Sequence, residues 1–127
     1  MPRTVVLGAS PNPNRASFVA VRKLVDAGEE VVALGRRPGT IGTVAIQTEW
    51  PEAEALRPVD TVTLYLNPEV QPQYYDYILA LQPRRIIFNP GTENAELAAL
   101  ARQQGIEPVV ACTLVLLSLG QYHESEA

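Results

Sequence analysis

Ser10, Asn12, Asn14 and Ser17 fall within ten residues, Gly8 to Ser17, and one cation, Arg15, lies among them. Short hydroxyl and amide side chains donate hydrogen bonds to oxyanions. A guanidinium adds a planar fork that matches phosphate oxygens. A second cationic feature follows in Gly35-Arg36-Arg37-Pro38-Gly39, where two guanidinium groups are adjacent. The chemistry these residues suit is anion recognition: the diphosphate of a nucleotide at the first loop, and a further phosphate near the arginine pair.

Such residues work only if the chain holds them together. The first loop follows an apolar, β-branched run, Thr4-Val5-Val6-Leu7, and precedes an amphipathic run, Phe18 to Ala27. Phe18, Val21, Leu24 and Val25 recur there at helical spacing, and Gly28 stands where a helix would be capped. The order is strand, polar loop, helix. A helix start so placed presents free N–H groups and the positive end of its dipole to an anion.

The same alternation continues. Val31 to Leu34 reads as a strand, and Ile41 to Ile46 as a short edge segment. Glu49 to Leu56 reads as one or two helical turns with Pro51 in the first turn, and Thr61 to Leu66 as a strand ended by Asn67-Pro68. Glu69 to Leu81 is helical, with Pro72 near its start, and Arg85 to Phe88 is a strand ended by Asn89-Pro90-Gly91. Asn94 to Gln104 is a helix with Leu97, Leu100 and Ala101 on one face, entered through the capping residues Thr92-Glu93-Asn94. Glu107 to Ala111 is the last strand. Thr113 to Leu119, apolar all round, reads as a short helix over the sheet or a surface for self-association, and the residues after Gly120 as a polar tail.

Strands that alternate with helices predict an α/β, three-layer Rossmann-like fold, with a mostly parallel sheet and helices on both faces. Ligands of such folds sit beyond the carboxyl ends of the strands, where strand order reverses. Four segments should meet there: Gly8 to Ser17, Gly35 to Arg37, Tyr65 to Pro68, and Asn89 to Thr92. With 127 residues the chain fits a single domain, 1–127.

Composition removes several classes. A hydrophobic content of 46% excludes a disordered chain. A formal net charge of -4 argues against a nucleic-acid surface. Nine of the ten basic residues are Arg, the better type for bidentate phosphate contacts. One cysteine, Cys112, permits no internal disulfide, and one histidine, His123, with that cysteine makes a metal site improbable. The apolar run near Val109 to Leu119 is too short for a membrane span. With no signal-peptide pattern at the start, the expected location is cytoplasmic. No catalytic constellation is evident.

The nucleotide can be narrowed. The dinucleotide fingerprint needs three glycines, yet Ser10 stands where the second would be. NAD proteins place an acidic residue after the second strand, whereas this chain has Arg36 and Arg37. That pair favours a ribose with an extra phosphate, as in NADP or coenzyme A. A reductase usually needs a second domain, and the only lysine, Lys23, is remote from any tyrosine. NADP is therefore the weaker choice, and an NADP-dependent oxidoreductase stays as an alternative.

Val6-Leu7-Gly8-Ala9-Ser10-Pro11-Asn12-Pro13-Asn14-Arg15-Ala16-Ser17 resembles the opening of the small stand-alone CoA-binding proteins. These are similar to the nucleotide-binding domain of the succinyl-CoA synthetase alpha subunit. The resemblance continues through Gly28 to Val32, Pro58 to Val62, and Asn94 to Gly105 and Cys112. It implies a binder of coenzyme A or an acyl-CoA, without catalysis of its own. By position, Gly8, Ala9, Ser10, Asn12, Arg15 and Ser17 would form the diphosphate loop. Arg36 and Arg37 would face the 3′-phosphate or adenine end. Tyr65, Asn67 and Pro68 would line the adenine or pantetheine path, with Asn89, Pro90 and Gly91 across from the first loop. Family members commonly follow the second strand with Asn-Pro, and here Gly35-Arg36-Arg37-Pro38 departs from that pattern. The ligase's catalytic histidine belongs to a domain with no counterpart in these residues.

Plainer readings exist for each residue. Ser10, Asn12 and Ser17 suit any strand-to-helix turn, and Arg36 with Arg37 suits a solvated turn. Cys112 reads as a small buried hydrophobe, His123 as a solvated tail residue, and Tyr74, Tyr75 and Tyr77 as helix packing. A protein-interaction module that uses Thr113 to Leu119, with a vestigial pocket, is the second alternative.

Overall fold

The computed structural model describes residues 2–123. Seven strands form one sheet: β1 (Arg3–Ala9), β2 (Glu30–Gly35), β3 (Thr40–Ile41), β4 (Val44–Gln47), β5 (Thr61–Leu64), β6 (Arg85–Phe88) and β7 (Glu107–Val110). Their order is β3-β4-β2-β1-β5-β6-β7. Every pairing is parallel except β3 with β4. The five helices are α1 (Ala16–Asp26), α2 (Ala53–Leu56), α3 (Tyr75–Ala80), α4 (Ala95–Gln103) and α5 (Thr113–Ser118).

Alternation along the strands builds two cores, as a sheet buried on both faces requires. Val5 and Leu7 of β1, Val62 and Leu64 of β5, and Ile86 and Phe88 of β6 face one layer. There they meet Leu56 of α2, Ile78 of α3, and Leu97 and Ala101 of α4. Val6 and Ala9 of β1, Ala33 of β2 and Ile87 of β6 face the other layer, with Val21 and Leu24 of α1 and Leu116 and Leu117 of α5. This is the α/β three-layer arrangement that the alternation predicts.

Several boundaries differ from expectation. Ile41 to Ile46 is not one segment but a hairpin of two short strands around Gly42-Thr43. The helix expected over Glu49 to Leu56 begins only at Ala53, so Pro51 lies outside it. Trp50 instead stacks on Tyr74 and Tyr77, with ring centroids 4.8 and 5.3 Å away. The strand from Thr61 stops at Leu64 rather than Leu66. Glu69 to Leu81 divides into a 3-10 turn, Gln71–Tyr74, that accommodates Pro72, and then α3. Asn94 caps α4, its side chain accepting from the Leu97 N–H at 3.1 Å.

Of the expected polar tail, Gln121 and His123 are exposed, residues 124–127 lie outside the described residues, and Tyr122 departs from the expectation. Tyr122 is 4% exposed and its hydroxyl pairs with the Thr4 hydroxyl at 2.7 Å. Arg85, a buried cation, donates to the Tyr122 carbonyl and to Thr61 Oγ1, and lies 4.6 Å from the Tyr122 ring centre. His123 pairs with Glu29, whose side chain is 6% exposed. No described helix is long and apolar enough to cross a membrane. The described residues hold no cluster of three metal-ligating side chains.

Candidate functional site

Strand order reverses at β1: β2 lies on one side of it and β5 on the other. The chain leaving β1 and the chain leaving β5 therefore part at the carboxyl rim and open a cleft, as the switch-point rule requires. Gly8 sets its floor. Its φ is +96, and a Cβ there would lie 2.7 Å from the Tyr65 carbonyl oxygen. Only glycine lets the two backbones approach so closely while Tyr65 N–H donates to the Leu7 carbonyl at 2.8 Å.

Two cavities open on this rim. The larger, about 470 Å³, is walled by Gly8, Ala9, Ser10 and Pro11 of the first loop. Arg15, Arg36 and Arg37 close it on the charged side, and Tyr65, Leu66, Asn67 and Val70 on the other. The smaller, about 250 Å³, shares Gly8, Arg15, Tyr65, Leu66 and Asn67 and extends to Ala16, Ser17, Pro90, Gly91 and Thr92. Arg15 thus stands at the junction. The loops are held against each other: a Cβ on Gly39 would come within 2.6 Å of Pro11 Cβ. That contact keeps the Arg36-Arg37 turn beside the first loop.

The electrostatics are one-sided. Among the described residues the ion pairs use Arg3, Arg84 and His123. Arg15, Arg36 and Arg37 have no carboxylate partner there. Arg15 occupies the N-cap of α1, and no side chain caps that helix. The Phe18 N–H donates to the Arg15 carbonyl at 3.1 Å, and the N–H groups of Ala16 and Ser17 are left for an outside acceptor. Ser17, in the first turn of α1, is 4% exposed, faces the smaller cavity and makes no hydrogen bond to another described side chain.

Other expected site residues brace the loops around the cleft, in its wall or behind it. Ser10 and Asn12 shape the loop: Ser10 Oγ accepts from the Asn12 N–H at 3.1 Å, and Asn12 Oδ1 from the Asn14 N–H at 2.9 Å. Asn12 itself does not reach the cavity walls, nor does Pro68. Asn67 Oδ1 accepts from the Glu69 N–H at 2.8 Å while Asn67 lines both cavities. Asn89 is 1% exposed and lies beneath the cleft rather than in its wall. Its amide donates to Thr63 Oγ1 and the Leu64 carbonyl, and its Oδ1 accepts from the Thr113 N–H. It ties β5, β6 and α5 together at the rim.

The Tyr65 hydroxyl is buried beside Thr63 and Thr113, yet those two hydroxyls pair with each other at 2.8 Å and leave it without a hydrogen bond. Burial pushes this phenol up to about 12, so it keeps its proton at neutral pH. Cys112 is half-buried and precedes α5, outside both cavity walls. Sequence reasoning did not single out Pro11, Ala16, Leu66, Val70 or Thr92 as wall residues. All but Val70 fall inside the four rim segments, so position past a strand end was the available signal.

Residues 2–118 match the profile of a family described as the CoA binding domain. The chain belongs to this family. Its fold is shared with solved structures. One, a crystal structure of an uncharacterised protein, is 47% identical, with a TM-score of 0.89 and coverage of 95% of this chain and 98% of that one. A protein from Thermus thermophilus is 21% identical at a TM-score of 0.78, covering 94% and 90% of the two chains. A hypothetical protein from Pyrococcus horikoshii OT3 is 20% identical at 0.73, with coverage of 88% and 78%. The last two speak for the fold alone. No curated protein matches the chain.

Proposed function

We propose that this family member binds coenzyme A or an acyl-CoA in the rim cleft and catalyses no reaction of its own. The observation that carries the reading is the convergence on one cavity, at the strand switch point, of three guanidinium groups with no carboxylate partner among the described residues, Arg15, Arg36 and Arg37. Coenzyme A carries three phosphoryl groups, two in its diphosphate and one on the ribose. Three cations suit such a polyanion better than a two-phosphate nucleotide.

The division of labour follows from position. Arg15 and the first N–H groups of α1 would hold the diphosphate, and Arg36 with Arg37 the ribose phosphate. Gly8 keeps the floor bare of side chain. Tyr65 stays protonated and supplies a ring surface rather than a base. Ser17, Asn67 and the backbone near Gly91 would meet the uncharged arm.

Calorimetric titration with CoA, dephospho-CoA and NADPH tests this. The reading expects CoA to bind, and dephospho-CoA and NADPH to bind more weakly. Absence of heat with CoA at millimolar concentration, or tighter binding of NADPH, overturns it. Equal binding of CoA and dephospho-CoA would remove Arg36 and Arg37 from ribose-phosphate recognition.

A further inference from the structure

We infer that the cleft reads the carrier and leaves the acyl group outside, so that it accepts CoA thioesters with little regard to their acyl chain. This deepens the reading above and rests on it. The two cavities differ in charge. The larger has all three guanidinium groups, whereas the smaller has only the shared Arg15. The ribose phosphate belongs in the first and the diphosphate at Arg15 and the start of α1, where the two cavities meet, which directs the neutral amide-bearing arm on through the second.

The smaller cavity suits an amide arm. Ser17 lines it, and its hydroxyl has no hydrogen-bond partner among the described side chains. An amide carbonyl of the arm offers it one. Beyond Ser17 the wall is Pro90, Gly91 and Thr92, with Pro90 and Gly91 exposed. The Thr92 hydroxyl is already committed to the Asn89 carbonyl at 2.8 Å. Phe88 and Leu97, the large apolar side chains nearest in sequence, are sealed in the core. The cavity, about 250 Å³, therefore ends at open rim rather than in an apolar tunnel.

An acyl chain gains affinity only where its methylenes leave water, by about fourfold for each one buried. Six additional methylenes fully buried would tighten binding by about four thousandfold. A chain that projects past Gly91 gains almost none of this.

The test compares CoA, acetyl-CoA, octanoyl-CoA and adenosine 3′,5′-bisphosphate by calorimetry on the intact protein and on Ser17→Ala. The three CoA species should bind within about threefold of one another, and the bisphosphate at least tenfold more weakly. Ser17→Ala should weaken the CoA species and leave the bisphosphate unchanged. Octanoyl-CoA binding tenfold tighter or tenfold weaker than acetyl-CoA overturns the inference, the first by revealing an acyl pocket and the second a closed end. Bisphosphate binding as tight as CoA overturns the assignment of the arm to the smaller cavity. If no species binds, CoA recognition itself fails, a result distinct from all of these.

Discussion

Gly8→Ala and Gly91→Ala form a matched pair that isolates what holds the cleft floor. Both glycines have positive φ, +96 and +90, so each substitution incurs backbone strain of about 1–3 kcal/mol. The entropy removed from the unfolded chain is the same for both and cancels. Their surroundings differ. At Gly91 an added Cβ meets nothing within 4 Å. At Gly8 it meets the Tyr65 carbonyl oxygen at 2.7 Å, its carbon at 2.8 Å and Leu66 Cδ2 at 3.2 Å. The first two are backbone atoms, which cannot rotate away. Relief requires β1 and β5 to separate and the Tyr65-to-Leu7 hydrogen bond to stretch. Overpacking and a weakened buried bond together add about 2–4 kcal/mol. For a domain of this size each kcal/mol lowers Tm by about 3–5 °C. At mid-range values, Gly91→Ala should therefore lower Tm by about 8 °C and Gly8→Ala by about 20 °C. Calorimetric and urea unfolding measure the difference. Equal losses, within about 0.5 kcal/mol, would refute the close approach as the reason for glycine at position 8.

Arg36→Gln and Arg37→Gln should each weaken CoA about fivefold to tenfold in a titration, and leave dephospho-CoA within twofold, because exposed guanidinium–phosphate contacts contribute about 1 kcal/mol. Tyr122→Phe leaves the Thr4 hydroxyl without its partner and should cost about 1–2 kcal/mol in urea unfolding. Burial alone would raise the Asp60 carboxyl, but hydrogen bonds from Arg84 and Thr61 and the charges of Arg84 and Arg85 outweigh it and hold it below the ordinary range. A carboxyl so lowered stabilises the fold above its unfolded pKa, near 3.9, and loses that contribution as pH falls through the folded value. Asp60→Asn should thus cost up to about 1 kcal/mol at pH 7, discounted for the half-exposed Arg84, and progressively less as pH falls below about 3.9, a trend that unfolding curves across that range would reveal.

The layers of this fold are legible because apolar runs and their breakers are strong local signals. Val5 to Leu7 and Ile86 to Phe88 announce strands buried on both faces, and Asn94 announces the start of α4. What escapes such reading depends on distant partners. Tyr122 looks like one aromatic residue in a polar tail; only the fold brings Thr4 and Arg85 beneath it. Asn89 sits past a strand end like any ligand residue. Its role as a brace depends on Thr63, Leu64 and Thr113, which its neighbours in sequence do not indicate. The cleft's charged side was readable, since Arg15, Arg36 and Arg37 all follow strands that end at one rim. Val70 was not, because it enters the wall from the loop before the 3-10 turn.

The site can be located directly by following backbone amide resonances during a CoA titration. The account predicts shifts confined to Gly8 to Ser17, Gly35 to Arg37, Tyr65 to Asn67 and Gly91 to Thr92. Shifts centred instead on the exposed Val110, Val115 and Leu119, or a spectrum unmoved by saturating ligand, would contradict it.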